Sequence, residues 1–148
     1  MPVTFKDVRL PLQLGGFPQA RWMGEESLAI SDWSGRLFSV EANSGGVLAT
    51  VNLRHPSLPV GETLTSLCSA PGSPARCAVA TRAGWAWVWL PKNERVLRIA
   101  PQAGGPVNSV TLSRDGKDLL IGTGYYPLSA APSVARVERW TLDPEPTF

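Results

Sequence analysis

Histidine occurs once and cysteine twice in these 148 residues, so residues for a built metal centre are scarce. A zinc site takes about four ligands. His55, Cys68 and Cys77 fall short of it. Long apolar runs are also missing. None approaches the roughly 20 residues that span a bilayer, which leaves no membrane expectation. The first residues, Met1 to Asp7, lack a basic stretch followed by an apolar one. No leader is expected there, and the cytoplasm is the default location. Charge of one sign is scarce too: 14 basic residues face 12 acidic ones, for a net charge of +2. Without a basic stripe, no phosphate backbone is neutralised and nucleic acid is not an expected partner. Catalytic signatures are wanting as well. Gly-x-Ser-x-Gly does not occur, and Gly122-Thr-Gly124 is too short to cradle a phosphate. Carboxylates are scattered at turns, so no acid pair stands out. Asp115 and Asp118 read as turn residues and not as calcium ligands. No enzyme activity and no cofactor are expected.

Helical periodicity is likewise absent. What is present is punctuation: 14 Gly and 14 Pro separate short apolar or β-branched runs. An all-β chain is the reading. Hydrophobic content of 43% gives it a core, and the length suits one domain, 1–148.

The runs repeat. Gly35 placed over Gly84, an offset of 49, matches Leu28-Ala-Ile-Ser to Cys77-Ala-Val-Ala. The same offset matches Arg36–Val40 to Trp85–Trp89 and Val47–Val51 to Val96–Ala100. A third unit opens at Pro106 with a hairpin, Val107 to Gly122, turning at Ser-Arg-Asp-Gly. Ala135 to Asp143 follows a longer loop. The units cover about 17–53, 62–101 and 106–143. The third lacks a fourth strand. Yet Val8-Arg-Leu-Pro-Leu-Gln-Leu-Gly-Gly16 reappears 89 residues later as Leu97-Arg-Ile-Ala-Pro-Gln-Ala-Gly-Gly105. Residues 5–14 therefore read as a fourth strand detached from its unit. The count gives three four-stranded blades.

These residues resemble the WD-repeat β-propeller family. Val107–Gly122 is similar to its first hairpin, and Trp89 and Trp140 fall where its Trp ends the third strand. Leu90 and Thr141 stand where the family has Asp, and its Gly-His pair is absent. Ser31 to Gly46 resembles the quinoprotein-like propeller repeat. The resemblance implies a non-catalytic interaction scaffold. Propellers have 4–8 blades, so three imply half of a six-bladed ring. The expected completion is a homodimer, each N-terminal strand closing the other chain's third blade. A split ring completed by a different chain, or a ring holding a sugar or small anion at its axis, are the alternatives. A hydrolase or lyase on the same fold is the weakest reading.

Surface residues are weighed on position. Asp32, Trp33 and Arg36 flank the Ser34-Gly35 turn at a propeller rim. Trp85, Trp87 and Trp89 alternate and so share one side of a strand, with Trp85 the one expected to reach solvent. Tyr125, Tyr126 and Arg136 bracket the long loop of the third unit. Trp89 and Trp140 are expected to be buried between blades. Cys68 and Cys77 flank the Pro71–Pro74 turn and are expected as two buried thiols on paired strands.

Overall fold

The computed structural model of the chain describes residues 9–11, 13–53, 63–71, 75–102, 105–124 and 135–142. Eleven strands are formed there, in three antiparallel sheets. The first sheet runs β1 (Gln19–Trp22), β2 (Ser27–Ser31), β3 (Arg36–Glu41) and β4 (Val47–Asn52) in chain order. The second does the same with β5 (Leu64–Ala70), β6 (Arg76–Thr81), β7 (Ala86–Leu90) and β8 (Arg95–Ile99). The third holds β9 (Val107–Leu112), β10 (Asp118–Thr123) and β11 (Arg136–Thr141). Among the described residues the one helical piece is a 3₁₀ turn, Pro91–Asn93, and no helix is long and apolar enough to cross a membrane.

The repeat fixes the registers. Leu28 faces Val40 and Ile30 faces Phe38 in the first sheet, as Cys77 faces Trp89 and Val79 faces Trp87 in the second. Leu119 faces Trp140 in the third. Side chains alternate across each strand, so every sheet has two faces. Ala29 and Leu37 join Leu67, Cys77, Val79 and Trp89 in one core between the first two sheets. Ala78, Ala86, Val88 and Ile99 join Val107, Val110, Leu119 and Ile121 in another between the second and third. Inner strands are tied across these cores. The Gln19 amide accepts from Leu67 N at 3.2 Å and donates to Thr65 O at 3.3 Å. Thr65 Oγ1 donates to Val107 O at 2.8 Å.

One expectation, the burial of Trp140, changes on contact with this geometry, and the cysteines and the N-terminal segment are given their places. Cys68 and Cys77 do not face each other, because Ser69 is the residue opposite Cys77. A shift of one residue reverses the face: Cys77 lies in the first core and Cys68 against the second, both free. Burial pushes the Cys68 thiol up to about 11 and the Cys77 thiol higher still. Trp89 is buried at 2% exposure, but Trp140 is only half-buried, since no fourth strand covers β11 among the described residues. Its indole instead donates to Glu138 Oε2 at 3.0 Å. Finally, of the detached strand 5–14, residues 5–8 and 12 lie outside the described residues. Residues 9–11 and 13–14 form no strand within the chain. Leu10 and Leu14 lie instead against Ile30, Phe38 and Val40, on the side of the first sheet turned away from the second.

Glycine is required at Gly84, at the β6–β7 turn. Its φ is +98°, and a Cβ there would stand 2.9 Å from Gly105 O, a backbone atom. Gly84→Ala is expected to lower stability by about 1–3 kcal/mol from strain and close contact. A urea midpoint within error of the native one would contradict that.

Candidate functional site

The β2–β3 turn of the first sheet is built around one carboxylate. Asp32 is 1% exposed, and an unpaired charge so placed would be costly. Its partners are supplied by the turn and by a segment 17 residues upstream. Oδ1 accepts from Ser34 N at 3.0 Å, Ser34 Oγ at 2.6 Å and Arg36 N at 3.3 Å. Oδ2 accepts from Gly15 N at 2.8 Å and from the Arg36 guanidinium at 2.9 and 2.6 Å. Burial by itself would raise the carboxyl. The hydrogen bonds from Ser34, Gly15 and Arg36 outweigh it and hold the group down at about 2. Asp32 is therefore ionised at neutral pH with its oxygens occupied, a clamp and not a proton carrier. It stands inside the turn and not on the solvated rim where the sequence placed it.

Arg36 extends the clamp outward. It donates to Gln13 O at 2.8 Å and lies over the Phe38 ring at 5.6 Å. Segment 13–16 is thus fastened across the turn, and Trp33 N donates to Gly16 O at 3.0 Å. The next residue is Phe17, at a positive φ of 52°. Its ring is 71% exposed and meets Trp33, 43% exposed, edge to face at 4.6 Å and 75°. An edge-to-face aromatic pair is thereby presented to solvent on a turn fastened by the Asp32 hydrogen bonds. Beside Trp33 is an open cleft of about 340 Å³ lined by Thr65, Arg82, Pro106 and Asn108.

Position 32 is one of three. Thr81 and Thr123 end β6 and β10 where Asp32 follows β2, and both are buried. Thr81 Oγ1 accepts from Trp85 N at 3.1 Å and donates to Trp85 O at 3.2 Å, closing its own turn. The first turn differs by using a charge.

The sequence-selected residues divide accordingly. Asp32, Trp33 and Arg36 come together with Phe17. Trp85 belongs to the second sheet, half-buried beneath the Arg98 guanidinium at 4.5 Å. Arg98 also lies 5.9 Å from Trp87. Arg136 is exposed at the start of β11, apart from the others. Tyr125 and Tyr126 lie outside the described residues. Asp115 accepts from Ser113 Oγ at 2.6 Å and Lys117 N at 3.1 Å and so serves its hairpin turn, while Asp118 pairs with Arg139 at 2.7 Å and ties β10 to β11. Phe17 was not selected: one aromatic before Pro18 makes no pattern.

No protein-family model matches the chain, and no curated protein sequence matches it. Among solved structures, the β-propeller domain of Cps50 (Swd1) from Myceliophteria thermophila superposes with a TM-score of 0.53 at 13% identity. The match covers 82% of this chain and 41% of that one. The likeness shows the fold. The three sheets are propeller blades, and the chain spans about two fifths of the structure it matches.

Proposed function

We propose that the chain is a non-catalytic protein-interaction scaffold of WD-like blades, working in the cytoplasm, that offers its Phe17–Trp33 edge to a partner. One observation carries this reading: two large aromatic rings stand in solvent, edge to face, on the turn held by the Asp32 clamp. Rigid exposed aromatics bind at small entropic cost and anchor protein interfaces. Arg82, exposed in the adjacent cleft, adds a cation. The complementary partner is an apolar side chain flanked by a carboxylate. A sugar or small anion in the same cleft is the second reading, favoured by the Trp33 wall and Arg82 together.

A photoreactive phenylalanine analogue at position 17 tests this in cells that make the protein. One dominant adduct with a protein is expected, reduced about tenfold or more by Trp33→Ala in a chain that keeps its β-spectrum. Diffuse labelling, equal with and without Trp33, would contradict the scaffold reading. Protection of the same position by a simple sugar or phosphate would favour the small ligand.

A further inference from the structure

Two faces of the chain are left open where the faces they repeat are closed. Leu119 pairs Trp140 as Cys77 pairs Trp89, so Leu120 and Val137 stand where the second blade has Ala78 and Ala86. Ala78 and Ala86 are 0% exposed, and so are Ala29 and Leu37 of the first blade. Leu120 is 43% and Val137 75% exposed. On this face the third blade carries apolar residues that stand uncovered among the described residues. Nor does β11 have an outer strand among the described residues, whereas β3 pairs β4 and β7 pairs β8.

The other open face is on the first blade. Its outward side is apolar: Trp22, Leu28, Val40 and Val47 lie in one cross-strand row. Trp22 is 60% and Val47 37% exposed. Leu10 is seated on this side, and by the 89-residue repeat Leu10 corresponds to Ile99. Ile99 packs towards the third blade while its strand pairs with β7. Leu10 thus sits on the first blade as Ile99 sits on the third. The third blade has no outer strand among the described residues. Among the described residues the two open faces do not meet, because Leu10 is on the far side of the first blade and Val137 on the far side of the third, with two cores between them.

We infer that a second copy of this chain meets both. The N-terminal segment of each copy stays on its own first blade and adds to β11 of the other, making six blades about a two-fold axis. The inference rests on the propeller reading of the fold and not on the Phe17–Trp33 edge. The pairing has a definite register. Ala86 faces Ile99 and Trp87 faces Arg98 in the second blade. The equivalents put Leu10 opposite Val137 and Arg9 opposite Glu138, an apolar pair beside a pair of opposite charge.

Arg9→Cys and Glu138→Cys, purified separately and then mixed under mild oxidation, test this. A covalent heterodimer is expected from the mixture and from neither variant alone. Glu138→Lys should weaken the dimer roughly tenfold, and adding Arg9→Glu in the same chain should restore it. Native β-spectra of the variants establish that each is folded. A disulfide within one chain carrying both substitutions, with none in the mixture, would overturn the two-chain closure. So would a dimer that never cross-links at these positions, or a folded chain that stays single until a different protein is added. Phe17 and Trp33 variants should leave the cross-link unchanged.

Discussion

Asp32→Ala is expected to cost about 3–5 kcal/mol, against a total of about 5–15 kcal/mol for a domain of ordinary stability. The carboxylate is the one acceptor shared by Gly15 N, Ser34 N, Ser34 Oγ and the Arg36 guanidinium. Removing it leaves those donors without that partner and frees segment 13–16 from the turn. Asp32→Asn should cost less, because one oxygen is kept, but it loses the ion pair. A pH dependence separates the charge from the packing. The folded carboxyl is held at about 2, below its ordinary 3.8. Its contribution is therefore complete above about pH 5 and is lost as pH falls from there, through 3.8 and 2, to about 1, about 2 kcal/mol in all. Urea unfolding at several pH values should show Asp32→Asn falling less steeply over that interval than the native chain. Parallel curves, or an alanine variant within about 0.5 kcal/mol of native, would show that the clamp contributes little.

Trp89→Ala is the other large expected loss, about 3–5 kcal/mol. Trp89 fills the core between the first two blades with Met23, Leu37, Leu53, Leu64 and Leu67 around it. At 2% exposure its ring has almost no water to return to without opening that core. The half-buried Trp140 is the internal control, because it holds the same place in its blade beside an open edge. Trp140→Ala should cost clearly less in the isolated chain. Equal losses at the two positions, or a loss below about 1 kcal/mol at Trp89, would contradict the assignment of the cores.

Much of this fold is legible in the residues. Gly35 and Gly84 mark equivalent turns, and the strands on either side alternate strictly enough to set their registers. The hairpin through Ser113–Gly116 declares itself by turn chemistry. The site was harder to read. Asp32 beside Ser34 and Gly35 looks like a solvated turn. Its burial comes from Gln13 to Gly16, which cross over the turn from another part of the chain. Phe17 has no periodic partner, and only the tertiary meeting with Trp33 makes it part of a surface. Cys68 and Cys77 turn to opposite faces of their sheet by one residue of register, which no local signal specifies. The weight of the third blade's open face shows only when Val137 is set against the buried Leu37 and Ala86.

Sedimentation equilibrium of the full chain, compared with a chain lacking residues 1–14, tests the closure most directly. The chain mass is 15.9 kDa. The account predicts about twice that mass for the full chain at micromolar concentration. For the truncated chain it predicts loss of that species, with an exposed β11 edge prone to aggregation. A full chain that is folded and single at every concentration, or a truncated chain of unchanged mass and melting temperature, would contradict it.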